Sequence, residues 1–289
     1  MRPIKRVAAI HDLSGYGRCS LTVALPVLSV MGIQCCSLPA AYLSSHTGFS
    51  GFTFHDMTGE MMPALEHWKA LGLRFDAIYS GFLGSERQME IVRRAKALFP
   101  EALLVVDPVM GDHGIPYKTY TPGMCANMAA LAGHADLIVP NMTEAAIILG
   151  RPYDTAPGTE EAAGEWLEAL AGQRRSVVLT GLSLREGDIG LGWLDAPSGT
   201  RGVIQRPFIG QEYHSTGDLF ASVMLGALLQ GAPLSQAADR AARFVGDCAG
   251  LSAAEGTGTC EGVRFETLLG QLAGTGEPLS PLKNGEGEG

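Results

Sequence analysis

His214-Ser215-Thr216-Gly217-Asp218 runs straight into Leu219-Phe220-Ala221-Ser222-Val223-Met224-Leu225. A short polar turn leading into an apolar, Ala-rich segment is how a loop opens a helix. Ser and Thr can cap the first turn, and Gly lets the backbone approach a ligand closely. The first N–H groups of a helix lack partners and sit at its positive dipole end, which makes the turn an anion site. Asp218, just inside the helix, is favoured there as an ion and could accept a proton. An anion cradle beside a general base is what phosphoryl transfer to an alcohol requires. A capped helix with no ligand is the alternative for the turn taken alone.

Asp107-Pro108-Val109-Met110-Gly111-Asp112 places two carboxylates after the apolar run Leu103-Leu104-Val105-Val106. Burial of Asp107 as an ion would need a cation or hydrogen-bond donors. Two carboxylates in one loop suit Mg²⁺, which takes few protein oxygens and keeps water and phosphate. A loop-capping Asp beside a solvated one is the alternative. In Pro140-Asn141-Met142-Thr143-Glu144, Asn141 stands at a helix N-cap with Glu144 three residues later, the spacing of a capping box. Glu144 could also reach a metal or its waters. Thr180-Gly181 follows Val177-Val178-Leu179 at another strand end.

These loops need elements to carry them, and the chain supplies strand, loop and helix at least five times. Val7–Ile10 reads as a buried strand ending in the polar loop His11–Gly17, and Ser20 caps a helix through Met31. A strand over Ile33–Leu38 precedes the Gly-, Ser- and aromatic-rich loop Ser44–Phe52, suited to a flap over a ligand. Helices follow over Asp56–Leu71, from Ser85 to Phe99, Thr121–Leu131, Asn141–Leu149 and Thr159–Leu170. Strands lie over Ala77–Ser80, Leu103–Val106, Leu137–Val139 and Val177–Leu179. Gly187–Phe208 alternates as antiparallel strands. Helices follow from the opening turn, from Leu234 to about Ser252 and near Val263–Leu272. The pattern predicts an α/β fold with a mostly parallel sheet buried on both faces, in which ligands bind outside the carboxyl ends of the strands. Residues 1–273 read as one domain, and the Gly-, Glu- and Pro-rich tail 274–289 as disordered.

The 289 residues are 46% hydrophobic and carry a formal net charge of −9, which suits one large domain. No long Lys/Arg run is present, so neither nucleic acid nor an anionic membrane is an expected partner. The six cysteines show no CxxC or zinc-type spacing and read as reduced thiols of a cytoplasmic protein. No apolar stretch is long enough to span a bilayer.

The order of these motifs resembles the ribokinase superfamily, and within it the pyridoxal/pyridoxamine kinases of vitamin B6 salvage. The likeness runs from about Val7 to Leu272. It is carried by Ser45-His46-Thr47-Gly48, Ser80-Gly81-Phe82-Leu83-Gly84-Ser85, the 107–112 loop, Ala135 to Glu144, and Ser215 to Phe220. The resemblance implies a ribokinase-like three-layer α/β/α fold, a mostly parallel sheet with antiparallel edge strands, and a homodimer. It implies ATP-dependent phosphorylation of the 5′-hydroxymethyl group of a B6 vitamer. Asp218 would be the base, and the Thr216 and Gly217 N–H groups the anion hole. Asp107, Asp112 and Glu144 would organise Mg²⁺. Asn141, Glu144, Thr180 and Ser215 would lie along the nucleotide phosphates. His46, Thr47 and Phe82 would contact the pyridine ring.

The chain departs from the family pattern at Phe82, where many relatives carry Tyr, and at three other places. Ser215 stands where relatives usually have Gly. Val139 replaces a usual Thr near a possible monovalent-cation site. Asp12-Leu13-Ser14-Gly15 is similar to the loop of hydroxymethylpyrimidine kinases, a sister branch, and Asp12 could bond a protonated ring nitrogen or an amine. Many of those kinases carry Cys where this chain has Asp218, which favours the B6 branch. A hydroxymethylpyrimidine or dual-specificity kinase is the alternative, followed by a B6-binding protein without catalysis.

Overall fold

The computed structural model describes residues 4–273; the tail read as disordered lies outside them. The chain opens with β1 (Lys5–Ser14), α1 (Ser20–Val30), β2 (Ile33–Leu43), β3 (Phe54–Asp56) and α2 (Thr58–Ala70). It continues through β4 (Ala77–Ser80), α3 (Glu86–Leu98), β5 (Leu103–Val106) and the small hairpin β6 (Gly111–Asp112) and β7 (Ile115–Pro116). Then come α4 (Pro122–Gly133), β8 (Leu137–Ile138), α5 (Met142–Leu149), α6 (Glu160–Ala171) and β9 (Ser176–Leu182). The last elements are β10 (Asp188–Asp195), β11 (Thr200–Pro207), α7 (Thr216–Leu229) and α8 (Leu234–Ala254).

Nine strands form one sheet in the order β11-β10-β9-β8-β5-β4-β1-β2-β3. β2, β1, β4, β5, β8 and β9 pair in parallel, and β3, β10 and β11 add antiparallel at the edges. The alternation of side chains along a strand explains the three layers. Val7 and Ala9 of β1 pack with α1, α7 and α8, while Ala8 and Ile10 pack with the core under α2 to α6. Cys35 and Cys36 divide between the faces in the same way. Both faces are covered, so the central strands read as unbroken apolar runs.

Three local expectations are corrected. β1 continues through His11-Asp12-Leu13-Ser14 instead of ending at Ile10, because β2 runs on beside it to Leu43 and the register shifts between His11 and Leu13. Ser20 does not cap α1 but is its first residue, and the N-cap is Cys19. Residues Glu266–Leu272 form a 3-10 helix in place of an α-helix. Ser85, Thr121 and Thr159 cap their helices by accepting the N–H of Gln88, Met124 and Ala162.

Candidate active site

The parallel strands end in a row, and their ends bring the polar loops together. β1 ends with Asp12 and Ser14, β4 leads to Phe82, β5 to Asp107, and β8 to Asn141. Thr180 of β9 is bridged to Asn141. The first turn of α7 faces this row.

Ser215 precedes α7 with φ +61°, a left-handed backbone, which explains why Gly suits this position. The N–H groups of Thr216 and Gly217 have no acceptor among the described residues. A Cβ built on Gly217 meets no atom within 4 Å, so the space beside this turn is open. Open N–H groups at the positive end of a 14-residue helix form an anion cradle.

Asp218 Oδ2 accepts the Ser20 N–H at 2.9 Å. Burial of its carboxylate raises the pKa to about 7, with the Asp12 charge adding to the rise and the Ser20 N–H and Ser215 hydroxyl opposing it. A carboxyl poised near neutrality is suited to accept a proton from an alcohol. Asp12 is 5% exposed and accepts hydroxyls on both oxygens, Ser20 at 2.5 Å and Ser14 at 2.8 Å. Burial raises its pKa, and the two serines oppose the rise.

Asp107 is buried, and no group among the described residues donates a hydrogen bond to its carboxylate. Its pKa is pushed well up by burial, then by the charges of Glu144 and Asp218. A buried carboxylate without a protein donor among the described residues suits Mg²⁺ held with phosphate and water oxygens. Glu144 and Asp112 are bonded to the backbone. Glu144 completes the capping box: Oε2 accepts the Asn141 N–H at 2.8 Å, and Asn141 Oδ1 accepts the Glu144 N–H at 2.9 Å. Its Oε1 accepts the Met110 N–H at 3.1 Å. Burial first, opposed by these N–H groups, lifts its pKa to about 8. Asp112 is exposed and accepts the N–H of His113 at 2.9 Å. Among the described residues no three His, Cys, Asp or Glu side chains gather closely enough to hold an ion. Asp107 and Glu144 are close enough for the Glu144 charge to raise the pKa of Asp107, and the Asp112 charge acts on Glu144 in turn.

Asn141 Nδ2 donates to the Gly111 carbonyl at 2.9 Å, and the Gly114 N–H donates to Thr143 Oγ1 at 2.8 Å. These bonds tie the β6–β7 hairpin to the start of α5.

His46 is buried, and backbone groups take both ring nitrogens. Gly48 donates to Nδ1 at 3.0 Å, and Nε2 lies 2.6 Å from the Cys260 carbonyl. A Cβ on Gly17 would lie 2.2 Å from the ring. His46 thus pins the loops after β1 and β2 to the 259–261 segment. Thr47, next to it, is exposed. Phe82 is half-buried, edge-on to Tyr120 with centroids 6.2 Å apart. Ser20 and Ser14 were missed as site residues. A Ser at a helix start reads as a cap, and only the packing of α1 against β1 and α7 puts Ser20 beside two acids.

The family model described as phosphomethylpyrimidine kinase matches residues 28–261. The chain belongs to this family. Within the phosphomethylpyrimidine kinase family, it is 38% identical to a candidate phosphomethylpyrimidine kinase from Bacteroides thetaiotaomicron, with a TM-score of 0.90 and 94% of each chain covered. That protein has also been solved with pyridoxal, and that form superposes with a TM-score of 0.87 at 39% identity, covering 93% of this chain and 96% of the other. The pyridoxal kinase of Lactobacillus plantarum is 31% identical with a TM-score of 0.85, over 93% of this chain and 97% of its own. The pyridoxal kinase of Rubrobacter xylanophilus is 29% identical over 248 residues, 80% of this chain and 82% of the relative.

Proposed function

We propose that this chain transfers the γ-phosphoryl group of ATP to the 5′-hydroxymethyl group of a vitamin B6 vitamer. The observation that carries the proposal is the Asp218 carboxylate, with a pKa of about 7, in the same helical turn as the open Thr216 and Gly217 N–H groups. Base and anion cradle are thereby held one residue apart. The likeness to pyridoxal kinases, and to a protein solved with pyridoxal, supports a B6 vitamer as the alcohol.

In this mechanism the vitamer hydroxyl oxygen attacks the γ-phosphorus, its proton passes to Asp218, and the bond to the ADP oxygen breaks. Thr216 and Gly217 donate to the oxygens of the transferring group, where the α7 dipole favours negative charge. Asn141, at the cap of α5, and Thr180 beside it stand along the phosphates. Asp107 would hold Mg²⁺, which when bound neutralises charge on the phosphates. Glu144 acts through the backbone, fixing Asn141 and the 110–111 turn. Asp12 reads a cationic group of the vitamer, Phe82 and Thr47 line the ring, and His46 keeps the flap in place.

A hydroxymethylpyrimidine is the second substrate class, favoured by the family whose model the chain matches. The test is phosphorylation of pyridoxal, pyridoxamine, pyridoxine and hydroxymethylpyrimidine with Mg·ATP, side by side. Turnover of a B6 vitamer, nearly abolished in Asp218→Asn, is expected. Turnover of hydroxymethylpyrimidine alone would overturn the assignment, and binding of vitamers without turnover would overturn the kinase.

A further inference from the structure

Ser20 lies outside every motif that carries the chemistry, yet it touches both acids of the pocket. Its hydroxyl donates to Asp12 Oδ1 at 2.5 Å, and its N–H donates to Asp218 Oδ2 at 2.9 Å. It is 5% exposed. Its backbone is left-handed, with φ +49°, although it carries a side chain. That conformation is strained for a residue with a side chain and persists only where surrounding groups hold it. Helix capping does not hold it there. The N-cap is Cys19, whose N–H donates to Thr22 Oγ1 at 3.2 Å. The two carboxylates are what its polar groups serve.

We infer that Ser20 is a positioning residue that fixes Asp12 and Asp218 in one frame, so that a vitamer read at Asp12 arrives with its hydroxyl at Asp218. The inference rests on the proposed function for the identity of the alcohol. The Ser20 N–H engages Oδ2 of Asp218 and orients the carboxylate that receives the proton. With Oδ1 of Asp12 engaged by the Ser20 hydroxyl, that carboxylate cannot rotate away from the ring.

The test is a double-mutant cycle of Ser20→Ala and Asp12→Asn in the full chain, with vitamer and ATP varied separately. Ser20→Ala should lower kcat/KM for the vitamer about tenfold or more, the scale of one hydrogen bond to a charged group, with the KM for ATP unchanged. The double variant should be no worse than Asp12→Asn alone, because the two changes break the same link. Ser20→Gly removes the hydroxyl and also the strain, and should lose activity as Ala does. Losses that multiply in the double variant, or wild-type kcat/KM in Ser20→Gly, would overturn the inference.

A second measurement needs no turnover. The Ser20 amide proton should move upfield in the ¹H–¹⁵N spectrum of Asp218→Asn, as its acceptor loses charge. A Ser20 resonance indifferent to that change would overturn the link. If the wild-type protein phosphorylates no B6 vitamer while the resonance moves, the proposed function falls and the Ser20 link stands.

Discussion

The Ser20 N–H donates to the Asp218 carboxylate across 198 residues of sequence, at 2.9 Å. The first residue of α1 thus holds the third residue of α7, and the proposed base is oriented from the opposite end of the chain. Burial sets its pKa near 7, above the ordinary 3.8. Below that value the carboxyl is protonated and cannot act as a base. The profile of kcat/KM against pH should therefore rise through about 7 on its acid limb. Asp218→Asn should abolish the limb and cost about 10²–10⁴-fold in kcat. An acid limb near 4 would contradict the desolvated base.

Ser215 occupies a left-handed position that Gly adopts freely, and its hydroxyl lowers the pKa of Asp218. Ser215→Gly should relieve about 1 kcal/mol of backbone strain, read as a higher Tm. The same change should move the acid limb of kcat/KM upward in pH. A limb that stays in place would mean that the hydroxyl does not reach the base.

Asp107 is a buried carboxylate without donors among the described residues, and its folded-state pKa is raised. A raised acid pKa means that the folded state favours the protonated form. Stability from this group is complete below its unfolded value, near 3.8, and is lost as pH rises through the folded value. Asp107→Asn should therefore raise the Tm of the ligand-free protein at pH 8, and change it little at pH 4. The same variant should weaken the dependence of activity on Mg²⁺. Equal Tm shifts at both pH values would rule out ionisation as the cause.

Two glycines should respond in opposite ways to Ala. At Gly81 a Cβ would lie 2.2 Å from His11 Nδ1, in the buried junction of β1 and β4. His11 is enclosed, with its pKa lowered to about 3 by burial, and packs edge-on to Tyr79 at 4.2 Å. Gly81→Ala should cost about 1–3 kcal/mol in chemical denaturation, as overpacking does. Gly217→Ala meets open space and should leave stability unchanged or raise it by up to about 1 kcal/mol. Its methyl group should instead raise the KM for ATP by crowding the anion cradle.

The sequence by itself determined the layers and most of the site's neighbourhood. Apolar runs such as Val7–Ile10 and Leu103–Val106 require burial on both faces, and that requirement dictates helices above and below a parallel sheet. Strand ends in such a sheet lie in one row, so Asp107, Asn141, Thr180 and the Asp218 turn had to meet. The Asn141–Glu144 capping box was legible too, because it depends on a spacing of three residues within one helix. Tertiary structure decided how each side chain is spent. Glu144 gives its second oxygen to Met110, and His46 gives Nε2 to the Cys260 carbonyl, through contacts between segments far apart in the chain. Ser20 is the sharpest case. A Ser that starts a helix has a local role open to it, and local spacing carries no sign of another. Only the packing of α1 against β1 and α7 brings two desolvated carboxylates within reach of one residue, and the cost of leaving them without donors makes Ser20 serve both.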